Sequence, residues 1–95
     1  MNIKNLHKND KLVSALSIFK GQEGNSISLQ LQAGGLLKEH ITKVPALLVC
    51  ILGKAVYGDE NGQRIELSPG DYVNITAMVK HWVEANEDSQ LILMK

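Results

Sequence analysis

Three histidines, His7, His40 and His81, and one cysteine, Cys50, are the side chains in this sequence best suited to chemistry near neutral pH. Imidazole changes charge in that range and ligates transition metals, and a thiolate is both nucleophile and soft ligand. Each also has a plain structural role open to it. His40, beside Lys38 and Glu39, can be a hydrogen-bonded residue at a strand end. His81 can pack against Trp82, and Cys50, between Val49 and Ile51, can serve as a small buried hydrophobe. His7 stands apart and is assigned no role. No Ser-His-acid or Cys-His arrangement is set by spacing. The carboxylates Glu39, Asp59, Glu60, Glu66, Asp71, Glu84, Glu87 and Asp88 fall mostly in turn sequence or beside lysines, where solvated surface is their expected state.

Any two of these groups can meet only if strands carry them to one place. From Ser26 to Ala33 apolar and polar residues alternate without a break, the signature of a strand with one wet face. Leu12 to Phe19 is compatible with a strand, Leu36 to Thr42 follows the Gly34-Gly35 break, and Ala46 to Leu52 is apolar enough to be buried on both faces. A strand around Lys54 to Tyr57 meets an Asn61-Gly62 hairpin signal and returns over Arg64 to Leu67. Ser68-Pro69-Gly70-Asp71 forms a tight turn, and Tyr72 to Ile75, His81 to Ala85 and Gln90 to Met94 complete the series. Short strands at turn-rich intervals, with no long amphipathic helix, predict an all-β sandwich or barrel. Its interior stripe is expected to comprise Leu29 or Leu31, Leu48, Tyr72, Ile75, Met78, Trp82 and Val83. Residues 1–11 read as an N-terminal arm to a single domain spanning 1–95.

The chain of 95 residues has 10 basic and 10 acidic side chains, with a single arginine, Arg64, and no basic run. Nucleic-acid binding rests largely on concentrated Lys and Arg, so it is not expected. The longest apolar run, Pro45 to Leu52, is far short of the ~20 residues that cross a bilayer as a helix. No signal-peptide pattern opens the sequence and the lone cysteine suits a reducing compartment, so a cytoplasmic protein without membrane association is expected. A small core, with Leu12, Leu16, Ile18 and Ile92 on candidate edge strands, predicts a homodimer.

The stretch GGLLKEHITKVPALLVCILG resembles the first motif of the cupin superfamily, with Gly34, His40 and Gly53 at its first glycine, first histidine and last glycine. GDYVNITAMVKHWVEA resembles the second motif through Gly70 and His81. The same registers put Thr42 at the second histidine, Ala46 at the glutamate, Thr76 at a proline, Met78 at a glycine and Ala85 at an asparagine. The resemblance covers about the last two-thirds of the chain. It implies a double-stranded β-helix, a cupin-like jelly-roll barrel, with His40 and His81 facing one interior.

In metal-binding cupins the two histidines and glutamate of the first motif and the histidine of the second converge on an ion. Here Thr42 and Ala46 replace two of those four ligands, and two imidazoles alone make a weak site. Cys50 lies on the same strand face as Ala46, but four residues and roughly 13 Å further along. No cofactor is therefore expected, and a divalent transition metal, if bound, would rest on His40 and His81. The resulting expectation is a small-molecule-binding protein whose mouth is formed by His40, Thr42, Met78 and His81. The alternatives are a cupin-type enzyme with a non-standard site and a purely structural dimeric module.

Overall fold

Strict alternation over residues 26–33 becomes the strand β2 (Asn25–Leu31), whose Leu29 and Leu31 enter the core. It is preceded by β1 (Val13–Lys20), and the computed structural model, which describes residues 1–95, continues through β3 (Leu36–His40) and β4 (Ala46–Leu52). β5 (Ala55–Asp59), β6 (Arg64–Leu67), β7 (Tyr72–Ile75), β8 (His81–Ala85) and β9 (Ser89–Met94) complete the set. One sheet runs β1-β2-β9-β4-β7 and the other β3-β8-β5-β6. All pairings are antiparallel. The two sheets are hydrogen-bonded separately, so the jelly roll is a sandwich rather than a barrel with a continuous ladder. No helix is long and apolar enough to cross a membrane.

The inner faces of both sheets supply one cluster of 14 buried apolar residues, including Leu31, Leu48, Cys50, Tyr57, Ile75, Val83 and Leu91. The parity of β4 is the expected one, with Ala46, Leu48 and Cys50 inward. Its outer face is only half-buried and then exposed, so the strand is not covered on both sides as its composition suggested. Three members of the expected interior stripe also lie elsewhere. Tyr72 and Met78 are exposed, and Trp82 is only half-buried. Trp82 occupies the opposite face of β8 from His81 and Val83, with its ring over Gly58 on β5. A Cβ at Gly58 would stand 2.5 Å from Trp82 Nε1, so only glycine permits that approach.

The wet face predicted for β2 is covered at its centre. Ser28 and Gln30 are buried beneath the N-terminal arm, which begins as a 3-10 turn over Ile3–Asn5, with Asn2 Oδ1 accepting from the Lys4 N–H at 2.9 Å. His7, left without a role by its sequence position, is the pin. Its Nδ1 lies 2.8 Å from Ser14 Oγ on β1 and its Nε2 lies 2.9 Å from Ser28 Oγ on β2. Both ring nitrogens are therefore satisfied in a buried setting, where an unpaired polar group would be costly. Burial also holds the His7 imidazole below the usual histidine pKa.

Candidate functional site

His40 ends β3 and His81 begins β8, and the two are direct partners across that ladder. β3 reaches this register through an irregularity between Leu37 and His40, which realigns its last residue on the inner face. The ring centroids stand 4.2 Å apart at 59°. Each ring is held by a carbonyl two residues back in its own chain: His40 Nδ1 is 3.0 Å from Lys38 O, and His81 Nδ1 is 3.0 Å from Val79 O. A carbonyl only accepts, so Nδ1 carries a proton on both rings, and it is Nε2 that bears the lone pair in the neutral form of each. His81 is 1% exposed. Desolvation is the largest influence on it and holds its pKa below the usual histidine value. His40 and Lys95 act in the same direction, while the Val79 carbonyl and Asp59 oppose them.

The same row continues into β5. Asp59 is the ladder partner of His81, so His40, His81 and Asp59 stand side by side across three strands. Tyr57, two residues before Asp59, faces the same interior and stacks on the His81 ring at a centroid distance of 5.9 Å. Its hydroxyl donates to Asp59 Oδ2 at 2.9 Å, and burial followed by that bond raises the phenol well above its usual pKa. Asp59 Oδ1 meanwhile accepts from the N–H groups of Asn61 (2.9 Å) and Gln63 (3.2 Å). These bonds tie the carboxylate into the Asn61-Gly62 turn. Asp59 was expected to be solvated surface; it is 5% exposed and fully engaged. The row thus offers two free imidazole lone pairs, with a tyrosine and a carboxylate already committed to each other.

Tyr57 and Asp59 escaped sequence reasoning because the strand was expected to end at Tyr57, before Gly58. Carrying its two-residue period across that glycine would have put both side chains on the His81 face.

Thr42 and Met78 come together, but not on this row. The Met78 N–H donates to Thr42 O at 2.7 Å. Thr42 is buried, its Oγ1 has no partner, and it lines a surface depression with Lys43 and Lys95. Met78 is 60% exposed and adopts φ 67°, the left-handed region, at the position where the second motif resembles a glycine. Cys50 is fully buried on β4, and burial, aided by Asp71, raises its thiol pKa. It is a core residue.

The cavity beside the two histidines is ≈ 10 Å³ and is otherwise lined by six aliphatic side chains, among them Leu37, Leu48 and Ile75. Such a space admits about one water molecule. The open interior expected at the barrel mouth is closed by packing. A divalent ion of the kind held by metal-binding cupins does not fit the donor set. No group of three or more His, Cys, Asp or Glu side chains is placed to hold one, and both oxygens of Asp59 already accept hydrogen bonds.

Two stacked antiparallel sheets in this order form a double-stranded β-helix, the cupin fold. Solved structures agree over nearly the whole chain. A cupin superfamily protein from Desulfitobacterium hafniense DCB-2 superposes with a TM-score of 0.87 at 15% identity, covering 98% of this chain and 84% of that one. An uncharacterized conserved protein with a double-stranded β-helix domain from Klebsiella pneumoniae gives 0.85 at 13% identity, covering 99% and 85%. KdgF from a Halomonas species gives 0.80 at 18% identity, covering 93% and 82%. No protein-family model and no curated protein sequence matches the chain. These likenesses concern the fold.

Proposed function

We propose that this chain is a cytoplasmic small-molecule-binding protein of cupin fold. In this reading, His40 and His81 receive one hydrogen-bond donor of an uncharged, hydroxyl-bearing ligand. The observation that carries the proposal is the pair of Nδ1-to-carbonyl brackets, which leave two adjacent Nε2 acceptors against an aliphatic floor. Neutral imidazoles present lone pairs to a ligand, so anions are disfavoured. A cation would have to shed its water in an aliphatic cavity, which disfavours it as well. An O–H donor suits both conditions. Because the cavity has room for about one water, only a single hydroxyl fits beside the rings and the rest of the ligand stays outside it.

The test is a titration of the full chain with neutral polyols and monosaccharides, alongside acetate and methylammonium, followed by the imidazole ¹⁵N resonances. A neutral compound should move both Nε2 signals saturably, and His81→Phe should abolish the response. A response confined to the charged compounds, or none at all, would overturn the reading.

A further inference from the structure

On the outer face of the five-stranded sheet, away from the histidine pair, the arm and the β2–β9 ladder enclose a second depression of ≈ 440 Å³. Its lining is unlike an ordinary sheet surface. Gln30 and Gln90 are ladder partners, and both are buried, Gln90 to 8% exposure. Their amides form a directed chain: Gln90 Nε2 donates to Gln30 Oε1 at 2.6 Å, and Gln30 Nε2 donates to Asn9 Oδ1 on the arm at 3.2 Å. At the head of the chain one acceptor is unused: Gln90 Oε1 is buried with no partner. A buried orphan acceptor costs stability that an arriving donor would restore.

Opposite charges complete the wall. Lys4 comes from the arm and Asp88 from the turn before β9. Asp88 uses Oδ1 to accept the Ala33 N–H at 2.8 Å, and its second oxygen makes no bond within the protein. We propose that this depression is a binding site for a small zwitterion of the amino-acid type. The ligand's carboxylate meets the Lys4 ammonium, its ammonium meets the free Asp88 oxygen, and a further donor reaches Gln90 Oε1. The volume lies within the ordinary range for small-molecule sites. A ligand with one charge leaves either Lys4 or Asp88 unanswered, which is what selects the zwitterion. Since Lys4 and Asn9 belong to the arm held by His7, occupancy also tightens the arm on the sheet.

The test uses the full ¹⁵N-labelled chain, with L-serine and L-glutamine as probes and acetate and ethanolamine as single-charge controls. The amino acids should shift the Gln30 and Gln90 side-chain amide signals saturably below about 10 mM, with the controls weaker. Lys4→Met, at an exposed position, and Asp88→Asn, which keeps an oxygen for Ala33, should each weaken binding about tenfold or more. His40→Ala should leave it unchanged, which separates this site from the imidazole pair. No saturable shift, shifts indifferent to both wall variants, or loss of binding in His40→Ala would each overturn the proposal.

Discussion

The Met78 N–H donates to the Thr42 carbonyl at 2.7 Å while Met78 itself adopts φ 67°. The loop between β7 and β8 therefore keeps a left-handed residue without the glycine that makes the conformation easy. For a residue with a Cβ this conformation costs about 1–2 kcal/mol. Met78→Gly should stabilise the chain by about 1 kcal/mol, less than the full strain because glycine also enlarges the unfolded ensemble. Urea denaturation reads this directly, and a lower midpoint would show that the methionine side chain contributes more than its backbone costs.

Gly53, after β4, makes the converse case. Its φ is 84°, and a Cβ there would lie 2.2 Å from Asp88 O. Gly53→Ala combines backbone strain with a clash against a main-chain atom, and should destabilise by about 3 kcal/mol or more. An equilibrium denaturation showing less than half that loss would mean that the β9 turn yields freely.

Two buried imidazoles make the fold sensitive to acid. His7 and His81 are both held below the ordinary histidine pKa, chiefly by desolvation. As pH falls from about 7, the unfolded chain takes up protons at the ordinary value near 6.5, while these two folded groups still resist. Their contribution is thus fully present above that value and is lost as pH drops toward the lower folded values. Stability should decline over this window, with shallower slopes in His7→Gln and His81→Gln. Denaturation midpoints that stay level between pH 7.5 and 5.5, as rough limits, would contradict the burial of both rings.

Self-association is also expected. β1 is an edge strand, and Leu16 and Ile18 stand exposed on it. Open edges with apolar side chains are prone to pair with another chain, and a second copy is always available. Light scattering should return a dimer mass, and Leu16→Lys with Ile18→Lys should return a monomer. A monomer mass for the unaltered chain at high micromolar concentration would contradict this.

Most strands were legible because polarity alternates and turn residues punctuate the chain. β4, β6, β7 and β8 coincide with the expected ranges, and the rest differ by a few residues at their ends. What alternation does not reveal is which layer covers a face. Ser28 and Gln30 read as solvent-facing, yet an arm whose own pattern was indecisive lies over them through His7. The site divides the same way. The meeting of His40 and His81 followed from the registers of the two cupin-like motifs. Asp59 lies beyond Gly58, a residue type that commonly ends strands, and with it the Tyr57–Asp59 bond stays hidden, while Thr42 and Met78 share a backbone bond rather than the histidine cavity. The volume left beside the rings depends on how Leu37, Leu48 and Ile75 interlock, and hydrophobic pattern carries no such volumes.

Whether His40 and His81 present paired Nε2 acceptors in one cavity can be read from a long-range ¹H–¹⁵N spectrum of the histidine side chains near pH 7.5. Both rings should appear as neutral Nδ1–H tautomers with a non-protonated Nε2, as their bonds to Lys38 O and Val79 O require. An Nε2–H tautomer at either ring, or the signature of a metal bound to both Nε2 atoms in the protein as purified, would contradict it.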